Sequence, residues 1–421
     1  MPGETRPDHA AGLTDWLTRW VLPAGTDPSA VPLLIGRALR ALVDGYMAVL
    51  LPAYLLAIGL GQLQVGLIST ATMLGSALAT LAVGAWGHRV PPSRLLRSAA
   101  LLMALTGVCF AGLSSFWPLI VVAFFGTLNP SSGDVSMFLP LEQARLAGAA
   151  QAQARVALFA RYSLLGALCA AIGAAATGLP DWLHTQAGWP RLAVMRGMFV
   201  FYGAIGVLVW CLYRRLPLAE AGHPPQATAP LGPSRRTVVK LAALFCIDSF
   251  AGGLVVNALL SLWLLQRFGL SLTAAGLFFF WSGLLSAGSQ LAAPKVAQRF
   301  GLLNTMVFTH IPANVCLVLA AWAPTLPVAL ALLLVRSALS QMDVPTRTAY
   351  VMAVVTPEER PAAAGFTAVP RSLAGALGPT LGGALFAAGW ISLPLVACGL
   401  LKISYDLLLW RAFRQHETEE G

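Results

Sequence analysis

Apolar positions fill this chain in twelve long runs, separated by short clusters of charged residues, Pro and Gly. The runs lie at 38–58, 62–85, 95–114, 117–140, 155–178, 193–213, 239–265, 272–293, 303–322, 326–350, 363–388 and 394–412. Each is close to the ~20 residues that one helix needs to cross a hydrocarbon layer. In lipid, backbone groups must find partners within the segment, so each run predicts a helix. The short alternating strands of a membrane barrel are missing from the pattern. Six runs precede a stretch rich in Pro, Ala and Gly at 216–236, and six follow it. The expectation is an all-α membrane protein, with twelve transmembrane helices in two six-helix pseudo-symmetric bundles and a central cavity. Its expected divisions are an N-terminal segment at 1–30, a first bundle at 31–215, a flexible cytoplasmic linker at 216–236, a second bundle at 237–413 and a tail at 414–421.

The two sets of runs echo each other. A shift of about 210 positions, with a drift of one residue, lays Gly59-Leu60 on Gly269-Leu270 and Gly66-Leu67 on Gly276-Leu277. It also lays Arg89 on Arg299, Pro118 on Pro327, Asp134-Val135 on Asp343-Val344 and Arg161 on Arg371. Matching Gly and Leu residues mean little in so apolar a chain. Only 10% of residues are charged, however, so composition does not explain the charged matches. Internal repeats in a polytopic chain mark secondary transporters, whose halves rock about a site between them.

Hydrophobic residues are 57% of the chain and mean hydropathy is +0.73, far from a soluble domain's balance. The net charge of +10 sits mostly on alternate loops. Arg89, Arg94 and Arg97 follow the second run, Arg145 and Arg155 the fourth; Arg214, Arg215, Arg235, Arg236 and Lys240 flank the linker. Lys295 and Arg299 follow the eighth run, Arg360 the tenth, and Arg411 and Arg414 the last. The opposite loops carry chiefly Arg191, Arg196 and Arg267. The positive-inside rule then predicts a multi-pass inner-membrane protein with both termini cytoplasmic. The charge reads as topology and contact with membrane lipid; no basic stripe interleaved with aromatics suggests nucleic acid. The first 30 residues, interrupted by Pro2, Pro7, Pro23 and Pro28, do not read as a cleavable signal. Cys109, Cys169, Cys211, Cys246, Cys316 and Cys398 fall inside apolar runs without paired spacing, so neither disulfides nor zinc is expected.

The loop after the second run reads Gly84-Ala-Trp-Gly-His88-Arg89-Val-Pro-Pro-Ser-Arg94, and its repeat reads Ala293-Pro-Lys295-Val-Ala-Gln298-Arg299-Phe-Gly301. The tenth-to-eleventh connection reads Thr356-Pro-Glu358-Glu359-Arg360-Pro-Ala-Ala-Ala-Gly365. With the two-half layout, these stretches resemble the major facilitator superfamily over nearly the whole chain. That family's first loop has the form Gly-x-x-x-Asp-Arg-x-Gly-Arg-Arg. Gly84, Arg89 and a later Arg match it, but both copies here lack the acid of the family's gating salt bridge. The stretch Gly375-Ala-Leu-Gly378-Pro379-Thr-Leu-Gly382-Gly383 resembles a Gly-Pro signature that antiporters of the superfamily carry in the fifth span. Here it lies in the eleventh, that span's repeat mate, where small residues also serve close helix packing. The resemblance implies an alternating-access transporter, working as a monomer, with the first helix of each half lining the cavity.

Ionisable side chains within lipid are expensive and face a partner or a cavity. Asp44 and Asp248, in the first run of each half, and His310 in the ninth are the candidates for proton coupling, since burial can bring such groups into a working range. Arg40 lies one turn from Asp44 and is its candidate partner. Asp248 has no evident neighbour in sequence, and Lys402 with Asp406 reads as an intrahelical pair. Repeat symmetry suggests Asp134–Arg161 and Asp343–Arg371 as ion pairs or gate latches, or alternatively as a substrate or proton site, with Arg89 and Arg299 as further gate candidates. Tyr46, Asn129, Asn257, Trp263, Asn314, Arg336, Gln341 and Arg347 are candidates for the substrate cavity. No phosphate-cradling Gly-x-x-x-x-Gly-Lys-Ser/Thr loop, nucleophile–base set or metal-ligand spacing is present in the sequence. The chain therefore reads as neither a primary pump nor an enzyme, and no cofactor or metal is expected. The function expected is proton-coupled export of a small organic solute. One alternative is transport of an anion, in either direction, drawn by Arg161, Arg336, Arg347 and Arg371. Another is a non-transporting sensor or assembly factor on a transporter scaffold. Unpaired charge in an open cavity favours transport, and a collapsed, fully paired interior favours the sensor.

Overall fold

The computed structural model describes residues 22–23, 25–131, 136–216, 231–356 and 358–414, and the apolar runs appear in it as helices. The first half contains α1 (Val31–Ala57), α2 (Gln62–Trp86), α3 (Pro92–Gly112), α4 (Phe116–Phe125), α5 (Phe138–Gly148), α6 (Ala152–Ala175), a short α7 (Leu179–Ala187) and α8 (Arg191–Arg214). The second contains α9 (Arg235–Gly253), α10 (Asn257–Phe268), α11 (Leu272–Phe300), α12 (Leu302–Ala321), α13 (Leu326–Ser340), α14 (Asp343–Ala353), α15 (Arg360–Ala387) and α16 (Leu393–Phe413). Pro92, Pro327, Pro361 and Pro394 open their helices, where a missing N–H is no loss. Gly301, at φ 84°, lets α11 turn directly into α12.

Three expected spans are each broken into two helices. The run at 117–140 becomes α4 and α5, with Asn129 and Pro130 between them, where Pro cannot continue a backbone ladder. The run at 239–265 becomes α9 and α10, parting just after Gly252-Gly253, residues of low helix propensity. The run at 326–350 becomes α13 and α14, parting at Gln341–Met342; Pro345 removes the hydrogen bond that would return to the Gln341 carbonyl. Among the described residues, ten stretches are long and apolar enough to cross a membrane. The fourth crossing falls short because α4 has only 10 residues before its break, and α15 because Gly, Pro and Arg371 dilute its hydropathy.

Small residues set the helix spacing. A Cβ on Gly45 of α1 would strike the Ala170 carbonyl of α6, and one on Gly173 the Leu42 carbonyl. Gly107 of α3 sits against Phe199 and Gly203 of α8 in the same way. The Gly-Pro stretch of α15 is committed to packing on both sides: Gly378 meets Gly253 of α9, and Gly383 meets Gly66 of α2.

The two bundles meet where α2 packs on α15 and α6 on α11. They are sealed toward the end that carries the α1–α2 and α15–α16 turns. There Thr70 Oγ1 accepts from Thr380 N (3.0 Å) and pairs with Thr380 Oγ1 (2.8 Å). Ser261 Oγ donates to the Val49 carbonyl at 3.0 Å, and Ala258 N donates to the Pro130 carbonyl at 3.0 Å. Toward the opposite end, where α1 begins and α16 finishes, the bundles part around a cavity.

Candidate functional site

The cavity holds about 700 Å³, within the size range of small-molecule sites. All three helix breaks feed it: Asn129 and Ser131 from the fourth crossing, Asn257 from the seventh, and Ser340 and Gln341 from the tenth. Non-helical backbone at membrane depth is tolerated where it lines such a space, and discontinuous helices build the binding sites of carriers. Ser163, Ser282 and Ser337 add hydroxyls, and Phe279 with Ala167, Ala170 and Ala171 supplies apolar wall.

Four ionisable side chains line this space: Arg37 and Asp44 of α1, Arg336 of α13 and Arg371 of α15. Arg37 and Asp44 share a helix face, two turns apart. Asp44, Arg336 and Arg371 make no salt bridge among the described residues. The Nε of Arg336 is buried without a hydrogen-bond partner among them.

The other buried charges are satisfied within their own bundle, and here the structure corrects several sequence expectations. Arg40 does not pair with Asp44. Its Nη2 reaches both carboxylate oxygens of Glu142 on α5 at 2.5 Å, and its guanidinium lies over the Phe138 ring, 3.9 Å from the centroid. Glu142 is fully buried and also accepts from Tyr162 Oη (2.5 Å) and Tyr213 Oη. The competing principle is desolvation: a fully buried carboxylate needs several donors, and Arg40 is the cation in reach.

In the second bundle, Asp248 is far from isolated. Lys402 Nζ donates to it at 2.6 Å, and Arg347 Nη1 lies 3.3 Å away. Lys402 is thus taken from Asp406, which instead faces Nδ1 of His310 at 3.0 Å from both oxygens. Asp343 pairs with Arg347, one turn along α14, and not with Arg371, which faces the cavity. Asp134 lies outside the described residues; its expected partner Arg161 is exposed on α6. Arg89 and Arg299 are exposed near helix ends.

Of the cavity candidates, Asn129, Asn257, Arg336 and Gln341 line the space, and Gln341 Oε1 accepts from Gln290 Nε2 at 3.3 Å. Tyr46, Trp263, Asn314 and Arg347 do not. Tyr46 donates to the Met198 carbonyl at 2.8 Å, and Asn314 to the His310 carbonyl at 2.9 Å. Trp263 is fully buried against Phe268, with ring centroids 5.5 Å apart. Sequence reasoning missed Arg37 and Glu142. Arg37 was signalled by its place seven residues from Asp44, whereas Glu142 lay just past the expected end of a span and read as a loop residue.

Two helical bundles sealed at one end, parting at the other around a polar cavity built from broken helices, define a secondary carrier of small solutes. The chain belongs to the Major Facilitator Superfamily: that family's model matches residues 33–340 and again 241–421. It is similar to the uncharacterized membrane protein YJR124C of Saccharomyces cerevisiae, at 25% identity over 412 residues, covering 88% of this chain and 91% of the yeast protein. Its fold matches a bacterial homologue of the human lysosomal transporter Spinster in an inward-facing, unoccupied conformation, with a TM-score of 0.70 at 15% identity over 92% of this chain and 97% of that one. It also matches the xylose transporter XylE from E. coli, inward open, with a TM-score of 0.70 at 14% identity over 90% and 96% of the two chains. At such identities the likeness is one of fold.

Proposed function

We propose that this carrier moves a small organic anion in exchange for protons, outward across the inner membrane. Arg336 carries the reading: a guanidinium on the cavity wall without a salt bridge, its Nε buried and unbonded among the described residues. An uncompensated intramembrane charge costs several kcal/mol, and it is tolerable where an arriving ligand supplies the counter-charge. Guanidinium suits carboxylate, phosphate or sulfonate through paired hydrogen bonds, and Arg371 adds a second cation to the same wall. Asp44 supports proton coupling, because it faces the cavity while Asp248 is held by Lys402 and Arg347. A carboxylate that faces a space alternately open to each side of the membrane is a group through which a proton can load and leave. With the positive-inside orientation the cavity opens to the cytoplasm, ready to load a solute for export. An open cavity with unpaired charge is the opposite of the closed, fully paired interior that a sensor requires.

The test is flux in proteoliposomes with a panel of carboxylates, phosphate esters, sulfonates, amines and neutral solutes, with and without a pH gradient. Anions should be carried, and Arg336→Gln should lower their flux roughly 10-fold or more, the worth of a charge-assisted hydrogen bond. Asp44→Asn should abolish the response to the pH gradient while anion-for-anion exchange continues. Transport of amines with anions excluded, or an unaffected Arg336→Gln, would sink the proposal.

A further inference from the structure

Away from the central cavity, a second cleft of about 530 Å³ opens on the outer face of the second bundle, between α11, α12 and α16. Its walls are Val296 and Phe300 of α11, Asn304, Thr305, Phe308 and Thr309 of α12, and Trp410 of α16. The polar groups among them are turned back on their own backbone. Asn304 Nδ2 donates to the Phe300 carbonyl (3.1 Å), Thr305 Oγ1 to Gly301 (2.7 Å) and Thr309 Oγ1 to Thr305 (2.8 Å). Apart from the Asn304 side-chain carbonyl, what remains facing outward is hydrocarbon and aromatic ring, with Phe308 edge-on to Trp410 at 6.3 Å between centroids.

The rim is of opposite character. The Arg299 guanidinium lies over Phe300 at 5.5 Å and that of Arg414 over Trp410 at 4.8 Å, so each cation is held on a ring that also lines the cleft. Both belong to helix ends at the same face of the molecule, where α11 finishes, α12 begins and α16 finishes. From the start of α12 to Thr309 the cleft descends about 10 Å at 1.5 Å per residue. Cations at the mouth and apolar walls below match a molecule with an anionic head and a hydrocarbon tail. A soluble anion has no use for the apolar depth, and a neutral lipid no use for the two arginines.

The geometry points to this cleft as a binding site for an anionic phospholipid, its phosphate between Arg299 and Arg414 and one acyl chain against Phe308 and Trp410. Basic pockets at the ends of transmembrane helices attract such headgroups through the surface charge of the leaflet. The site is separate from the transport cavity and does not depend on which solute that cavity carries.

The experiment reconstitutes the full chain in vesicles of equal phosphatidylglycerol and phosphatidylcholine with identical acyl chains. The protein is then extracted and the retained lipid counted by native mass spectrometry. The wild type should retain phosphatidylglycerol several-fold over phosphatidylcholine. Arg299→Gln with Arg414→Gln should bring the ratio close to one, while Arg94→Gln with Arg236→Gln, exposed arginines elsewhere, should leave it unchanged. Thr309→Phe, which fills the cleft, should lower retention of both lipids. Should the double variant fail to fold, Arg414→Gln alone, at an exposed helix end, carries the same test with a partial loss. A wild-type ratio of one overturns the inference. So does an unchanged ratio after loss of the rim arginines, an equal fall in the Arg94 and Arg236 control, or full retention in Thr309→Phe.

Discussion

Glu142 gathers three buried donors, Arg40, Tyr162 and Tyr213, and its removal gives a sharp quantitative test. Glu142→Gln leaves the Arg40 guanidinium, only 3% exposed, with no carboxylate at hydrogen-bond distance. Breaking a buried pair from one side costs about 3–5 kcal/mol. Arg40→Leu should cost less, toward the lower end of that range, because Glu142 keeps the hydroxyls of Tyr162 and Tyr213 as donors. Combining Arg40→Leu with Glu142→Gln removes the desolvation of two ions at once, and the amide that replaces the carboxylate keeps one oxygen as acceptor, so at most one phenol is left short, about 1–3 kcal/mol. The single changes therefore sum to roughly 6–8 kcal/mol and the double change to about half of that or less. Reversible unfolding of the purified protein in mixed micelles, followed by intrinsic fluorescence, gives the four free energies of the cycle. Additivity within about 0.5 kcal/mol would mean that the two groups do not interact, and the reasoning fails.

Three further outcomes are expected. Gly66→Val, whose side chain would press on Gly383 and the Pro379 carbonyl, should shift the equilibrium away from the sealed arrangement; spin-label distances across the α2 and α15 ends that stay at wild-type values would contradict this. Glu359, just before α15, accepts from Gly232 N–H and from Thr356 Oγ1 at 3.0 Å, and hydrogen bonds, that from Ser234 foremost, hold its carboxyl below the usual Glu range. A depressed native value means that the anchorage is complete at neutral pH, persists through the ordinary carboxylate range and is lost only on stronger acidification. Hydrogen exchange at the Gly232 amide, corrected for its intrinsic rate, should show protection at pH 7 and 5 that Glu359→Gln abolishes. Cysteines placed at Arg94, Ser234 and Glu358 in a background free of native Cys should resist a membrane-impermeant thiol reagent in intact cells; labelling of all three from outside reverses the orientation.

The helices were legible because lipid imposes one backbone solution on every apolar run, so the limits of α2, α8 and α12 lie within a residue or two of their runs. The breaks were written in the sequence too, as Pro130, Gly252-Gly253 and Pro345, but each lay within a run whose mean hydropathy hid it. Partnership was not legible. Arg40 and Glu142 stand 102 positions apart, Asp248 and Lys402 154, and His310 and Asp406 96. Helical spacing exposes only neighbours three or four residues away, which is why Asp44 was offered to Arg40 and Asp406 to Lys402. A local pair that did form, Asp343 with Arg347, was concealed by the repeat, which matched Asp343 with Arg371. Repeat symmetry does mark equivalent positions, but it is silent on which of them point at each other.

All salt bridges among the described residues close within one bundle: Arg40–Glu142 and Asp181–Arg191 in the first, the Asp248–Lys402–Arg347–Asp343 chain and His310–Asp406 in the second. Rocking one bundle against the other therefore severs none of them. What must be undone at the sealed end is small and, with one exception, neutral: the Thr70–Thr380 contacts, Ser261 on a carbonyl, the Ala258 amide on Pro130, and Thr273, whose hydroxyl meets the Gly178 carbonyl at 3.5 Å and whose amide meets the Asp181 carboxylate at 3.4 Å. The neutral contacts exchange readily with water and are little affected by ionic strength. The swing between states thus works against a shallow energy difference. Driving such a balance from 1:99 to 99:1 takes about 5.5 kcal/mol of preferential binding, which under the proposed function an anionic solute closing on Arg336 and Arg371 would provide.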